Sequence, residues 1–195
     1  MKKAFLVTAM LLMAGIASFA QVKWAADPAH STIGFSVNHL GINFVQGKFD
    51  KFSGTVETAD TTNFNNAKIE FTADVNSINT GVAQRDGHLK TDDFFNAEKY
   101  PSITVKSVSF KKIAGNKYVM LADVTIRETT KRVAFDVTFN GVIKDPWGLR
   151  RAGFTAKSSI NRLDFGLKYA DKLPNGSYAV APTVDILVNA EIVKQ

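Results

Sequence analysis

The chain has 195 residues, 45% of them hydrophobic, with fifteen Phe, two Trp and no Cys. Its formal net charge is +6, of which Lys2 and Lys3 supply two. Without Cys the chain must be stable without disulfides and cannot carry a lipid on an N-terminal Cys. Its lysines are scattered, so it lacks the clustered basic stripe of a nucleic-acid protein.

Lys2 and Lys3 precede an apolar run from Ala4 to Ala17, broken only by Thr8 and Gly15. Ser18-Phe19-Ala20 then places small residues three and one before a cut ahead of Gln21. The pattern predicts a secretory signal peptide over residues 1–20. The run is shorter than the roughly 20 residues of a spanning helix, and no later stretch is long and apolar enough to span a bilayer. No stable membrane anchor is therefore expected. Residues 21–195 form a chain of ordinary size for one domain with a sizeable core.

Strand patterns follow one another. Residues 31–37 alternate apolar with small or polar side chains. Ile69, Phe71, Ala73 and Val75 fall on one face, opposite Lys68, Glu70, Thr72 and Asp74. Val133, Phe135, Val137 and Phe139 repeat the pattern, as do Phe154, Ala156, Ser158 and Ile160, and then Val184, Ile186, Val188, Ala190 and Ile192. Period-two alternation means one face is buried and the other wet. Turn signals divide the runs at Asp60-Thr61-Thr62-Asn63, Ala114-Gly115-Asn116, Lys144 to Gly148 and Pro174-Asn175-Gly176. Residues 80–96 break the period, and the spacing of Val82, Arg85, Asp86, Leu89, Phe94 and Phe95 predicts short helical turns over 84–90 and 92–95. About eight strands with short connections suit a closed up-and-down barrel or a two-sheet sandwich. A barrel of that size holds one small ligand.

Four blocks in order resemble the YceI-like family. They are Trp24-x-x-Asp27-Pro28-x-His30-Ser31-x-Ile33-x-Phe35-x-Val37-x-His39, then Gly47-Lys48-Phe49-x-x-Phe52-x-Gly54. Ser77-Ile78-Asn79-Thr80-Gly81 follows with Arg85-Asp86-x-His88-Leu89, Asp93-Phe94-Phe95 and Tyr100-Pro101, and last comes Ile160-Asn161-Arg162-x-Asp164-Phe165-Gly166. The resemblance spans Trp24 to about Ile192. It implies an all-β fold, an eight-stranded antiparallel lipocalin-like barrel with a short helical insert. It also implies a periplasmic protein, or one secreted further, that binds a polyisoprenoid or quinone-like lipid and has no other cofactor. A homodimer is a plausible assembly on the same ground. One departure stands out: Glu128 occupies the place before Thr129-Thr130-Lys131 where the family usually shows a Gly, so a different turn is expected there.

The candidate lining of the interior is Phe35, Val37, Phe71, Val75, Phe135, Phe139, Phe154 and Ile186. Small residues among them, Gly34, Ala73, Ala156 and Ala190, argue for space rather than a solid core. Arg85, Asp86, His88 and Arg162 are the candidate head-group or lid residues, since a forked guanidinium suits a phosphate or carbonyl. Arg162 and Asp164, two apart on a strand, point the same way and predict an ion pair. The alternative is an enzyme acting on a lipid or a small exported substrate through Arg85, Asp86 and His88, near Ser77 and Thr80. No catalytic residue is assigned, because triads are defined by geometry and no Gly-x-Ser-x-Gly elbow is present. His30, His39 and His88 are the only histidines, and their irregular spacing gives no metal motif. The expected function is an envelope carrier or store for a long apolar lipid.

Overall fold

Each alternating run becomes a strand, because only an extended chain sends every second residue to the same side. The computed structural model describes residues 21–195, and the expected signal peptide lies outside them. The strands in chain order are β1 (Val22–Ala26), β2 (Thr32–His39), β3 (Asn43–Phe49), β4 (Phe52–Thr58), β5 (Lys68–Asp74), β6 (Ile78–Asn79), β7 (Ser102–Ala114), β8 (Lys117–Ile126), β9 (Thr129–Lys144), β10 (Arg150–Asn161) and β11 (Val180–Lys194).

Eight of these close an antiparallel ring in the order β1-β4-β5-β7-β8-β9-β10-β11, with β11 returning to β1. Trp24 of β1 faces Val56 on one side and Lys194 on the other, and this pair of contacts seals the barrel. The loop around Pro28 ends β1. Beyond it β2 takes over beside β11, from Asn189 to Val180, and carries β3 and the short β6 with it. The eight-stranded barrel expected from the sequence is thus present, with the β1–β2 strand broken in two.

The interior is filled at one end. Phe64, in the β4–β5 connection, is wholly buried, with ring-centroid distances of 5.4 Å to Trp24 and 5.0 Å to Phe154. Trp24 donates its indole N–H to Thr58 Oγ1 at 3.1 Å, so this aromatic floor leaves the indole N–H satisfied. At Gly153/Phe154 the β9–β10 register slips and Asn140 is the extra residue. This bulge ends the alternation that Val133 to Phe139 began and lets Val142 pair inward with Ala152.

Helix α1 (Ala83–Leu89) forms where the period breaks, one residue earlier than expected at each end. Over 92–95, where a second helical turn is expected, no regular helix forms. Successive turns take its place: Phe94 N–H donates to the Thr91 carbonyl, Asn96 N–H also to Thr91, and Ala97 N–H to Lys90. Asn96 at φ 51° breaks any helical continuation.

Candidate functional site

Beyond the aromatic floor the barrel is hollow. About 230 Å³ of the lumen can be reached by the centre of a water molecule, and a single water needs only about 10–15 Å³ of such space. Apart from Arg162, every lining residue is apolar or glycine. Water needs two to four polar partners, so this space favours an apolar occupant.

Two rings are folded flat against the wall to leave that space. Phe35 of β2 pairs with Gly47 of β3, and Phe71 of β5 pairs with Gly54 of β4. A Cβ at Gly47 would lie 2.3 Å from the Phe35 ring, and one at Gly54 would lie 2.5 Å from the Phe71 ring. Both glycines are therefore required by ring contact rather than by backbone angles. Of the eight expected lining residues, Phe35, Val37, Phe71, Phe135, Phe154 and Ile186 face the lumen. Val75 and Phe139 do not. β5 ends at Asp74, so Val75 opens a 3-10 turn and its N–H donates to the Pro101 carbonyl. Phe139 lies just before the β9 bulge and packs at a tilt against Phe64 and Phe154 in the floor.

The opposite end carries a lid made of α1, the turns over 91–100 and the 3-10 turn Arg162–Phe165. Leu89, Phe94, Phe95 and Leu167 are its inner surface. The expected polar cluster does not converge on one point. Asp86 accepts from the Thr80 N–H at 2.9 Å and the Thr80 hydroxyl at 2.6 Å. Arg85 donates to Thr80 Oγ1 at 2.7 Å and to the Thr80 carbonyl at 2.9 Å. Both side chains thus tie α1 to Thr80, the residue just after β6, and neither pairs with His88. His88 Nε2 instead meets Asp93 Oδ2 at 2.9 Å, with its ring edge-on to Phe94 and Tyr169.

The strongest pin of the lid was missed by sequence reasoning. Arg127, at the β8–β9 turn, is almost fully buried and donates from Nη1 to the carbonyls of Asp92, Phe94 and Gly166 at 3.0, 3.1 and 2.9 Å. Its Nη2 meets Asp92 Oδ1 at 2.7 Å. Asp92 also pairs with Lys168, and that contact, with help from Asn96 and Arg127, holds its carboxyl down at about 2. The departure at Glu128 is part of this feature: Arg127 itself takes the positive φ, 55°, beside it.

Arg162 is also buried, and the ion pair expected with Asp164 is absent. A 3-10 turn rather than a strand holds the two residues, so they diverge. Asp164 accepts from the Asn161 carboxamide at 3.2 Å, while Arg162 donates to the carbonyls of Ala181 and Val180 at 3.0 and 2.7 Å.

Among the described residues one group has metal-ligand types close together: Asp27, His30 and Glu191. Arg151 sits between the two carboxylates, donating to Asp27 at 2.7 Å and Glu191 at 2.6 Å, and also holds Asp145 at 2.7 Å. These groups lock the β1–β2 loop onto β10 and β11, with Asp27 held at about 2 by His30 and Arg151. No helix among the described residues is long and apolar enough to cross a membrane.

Comparison with known proteins agrees with this architecture. The profile of the YceI-like domain matches residues 24–192. A UPF0312 protein of Photorhabdus laumondii is 38% identical over 187 residues, covering 96% of this chain and 93% of the relative. Protein YceI of Escherichia coli O157:H7 is 35% identical over the full length of both. Among solved structures, a Campylobacter jejuni YCEI protein has a TM-score of 0.66 at 31% identity, covering 81% of this chain and 89% of that one. Burkholderia cenocepacia BcnA has a TM-score of 0.73 at 23% identity, covering 85% and 98%. A polyisoprenoid binding domain from Saccharophagus degradans has a TM-score of 0.65 at 15% identity, covering 88% and 98%.

Proposed function

This chain belongs to the YceI-like domain family, and from that premise we propose that it is a lipid-binding protein of the bacterial envelope, carrying or storing an isoprenoid-type chain in the barrel. The observation that carries this reading is the lumen, roomy, capped, and lined by apolar residues apart from Arg162. Each methylene moved there from water contributes about 0.8 kcal/mol, so a polyprenyl tail needs few polar contacts to bind tightly. The polyisoprenoid-binding domain of Saccharophagus degradans shares the barrel and supports the same ligand class. Helix α1 serves as the gate. It has seven residues, a glycine (Gly87) among them and no side-chain cap on its first turn, so it is marginal on its own and depends on the Thr80 ties. Export by the N-terminal signal would place the mature chain in the periplasm, where the barrel forms.

Native mass spectrometry of the mature protein purified from an envelope extract, followed by organic extraction, tests the proposal. The expected result is about one polyprenyl or quinone-type chain per barrel. A folded protein that carries no lipid and refuses added isoprenoids would overturn it.

A further inference from the structure

The lumen holds one polar side chain, and that side chain is incompletely bonded. Arg162 is 3% exposed. Its Nε and Nη2, the two donors on one edge of the guanidinium, are taken by the carbonyls at the start of β11. Nη1, at the other end of the fork, is shut off from solvent and has no hydrogen-bond partner among the described residues. The other arginines of the barrel end and lid are differently placed. Arg127 has the Asp92 carboxylate, although its Nε likewise lacks a hydrogen-bond partner. Arg151 has Asp27, Asp145 and Glu191, and Arg85 is only half-buried and donates to Thr80. Among the described residues Arg162 has no carboxylate within ion-pair distance. The Phe94 ring lies 5.8 Å from its guanidinium carbon, so an aromatic face of the lid covers it.

Burial lowers the proton affinity of Arg162 from the ordinary guanidinium value, yet a guanidinium stays charged in proteins. A buried cation with a free donor is costly to keep unless something accepts from it. Water answers poorly, because no other side chain of the lumen offers it a hydrogen bond. A ligand oxygen answers well, since the rest of the same molecule can lie along the apolar wall.

We propose that Arg162 Nη1 is the docking point for an electron-rich oxygen at one end of the bound lipid. The ligand is then monopolar. Its oxygen end sits under the lid against Arg162, and its hydrocarbon runs down the lumen toward Phe110, Phe154 and Ile192. The shared chemistry is a hydrogen-bond acceptor with partial or full negative charge, which a quinone carbonyl and a polyprenyl phosphate both supply. This inference rests on the lipid-binding reading above and goes beyond it by excluding a plain hydrocarbon as the preferred ligand.

The test is a competition titration of delipidated mature protein against a fluorescent isoprenoid, using three competitors: squalene, an isoprenoid quinone and a polyprenyl phosphate. The wild type is expected to prefer at least one oxygen-bearing competitor over squalene by about tenfold to a hundredfold, the range of one charged hydrogen bond. Preference for the quinone identifies a carbonyl, and preference for the phosphate an oxyanion. Arg162→Met is expected to bind squalene as before and to lose the preference. Its fold is checked by circular dichroism, and the wild-type ranking stands as evidence without the variant. Equal binding of all three competitors by the wild type, or a preference that survives in a folded Arg162→Met protein, overturns the docking role and leaves the lipid reading standing. Failure of all three to bind overturns both.

Discussion

Removing the Arg127 side chain is the sharpest test of how the lid is held. Arg127→Ala takes a charged donor from three carbonyls, those of Asp92, Phe94 and Gly166, and from the Asp92 carboxylate. A hydrogen bond to a charged group is worth about 1.5–3 kcal/mol, but three of these share the two protons of Nη1, so they do not add. The Asp92 side chain is half exposed, and its ion pair contributes little after screening. Loss of the buried part amounts to about 3–4 kcal/mol, in line with breaking a buried charged network. The lid then opens locally about a hundredfold to a thousandfold more often, at 1.4 kcal/mol per tenfold. Hydrogen exchange read by mass spectrometry checks this: amides of residues 91–100 lose protection by that factor, while the centres of β8 and β9 lose it only as far as global stability falls. Arg127 also sits at φ 55°, so Arg127→Gly, which relieves that strain, is expected to be more stable than Arg127→Ala by about 1 kcal/mol. Unchanged exchange over 91–100 in a folded Arg127→Ala protein would refute the idea that this residue pins the lid.

Three further outcomes are expected. Gly54→Ala drives the Phe71 ring off the wall and into the lumen, because the added Cβ would stand 2.5 Å from it; the variant loses about 1–3 kcal/mol in urea denaturation and takes up less lipid. In acid, the folded pKa of Asp27, about 2, lies below its unfolded value of 3.8, so its contribution is full above about pH 4 and disappears as pH falls toward 2. The urea midpoints of wild type and Asp27→Asn, well apart at pH 6, therefore converge near pH 2, and a constant gap would contradict the assignment. In the β2–β3 turn, Leu40 and Gly41 both have positive φ, 55° and 74°, and the Ile42 N–H closes the turn on the His39 carbonyl. Such a turn suits Asn-Gly, so Leu40→Asn is expected to raise the melting temperature by a few degrees.

How much of this could be read from the chain follows from the range of the interactions. Strands such as β5 and β10 were legible because alternation is a local property with a fixed cause, the pleat. Six of the eight expected lining residues follow from the same cause. Val75 and Phe139 fail where the pleat is interrupted, at a 3-10 turn and before a bulge, and neither interruption leaves a clear local signal. The Arg162–Asp164 pair fails similarly, since residues two apart share a face only in a strand. Arg127 was out of reach for another reason. Its partners lie 33 to 39 residues away in sequence, and only the closed barrel brings the β8–β9 turn beneath the lid. Glu128 in place of a glycine was the available clue. It marked an unusual turn, but the buried group was its neighbour.

The hollow lumen and the stable barrel are reconciled by dividing their tasks between the two ends. A cavity forfeits dispersion contacts along its walls, and this fold recovers them at the floor, where Trp24, Phe64, Phe139 and Phe154 pack ring against ring. The ring of strand hydrogen bonds closes on itself through β1, so the wall needs no filler to stay in register. The lid, by contrast, rests on a few polar ties, Arg85 and Asp86 on Thr80 and Arg127 on three carbonyls. Their removal frees the lid without dismantling the strands beneath. Stability is thereby concentrated where the chain must stay shut, and the segment held by the fewest ties is the lid that the proposed function uses as its gate.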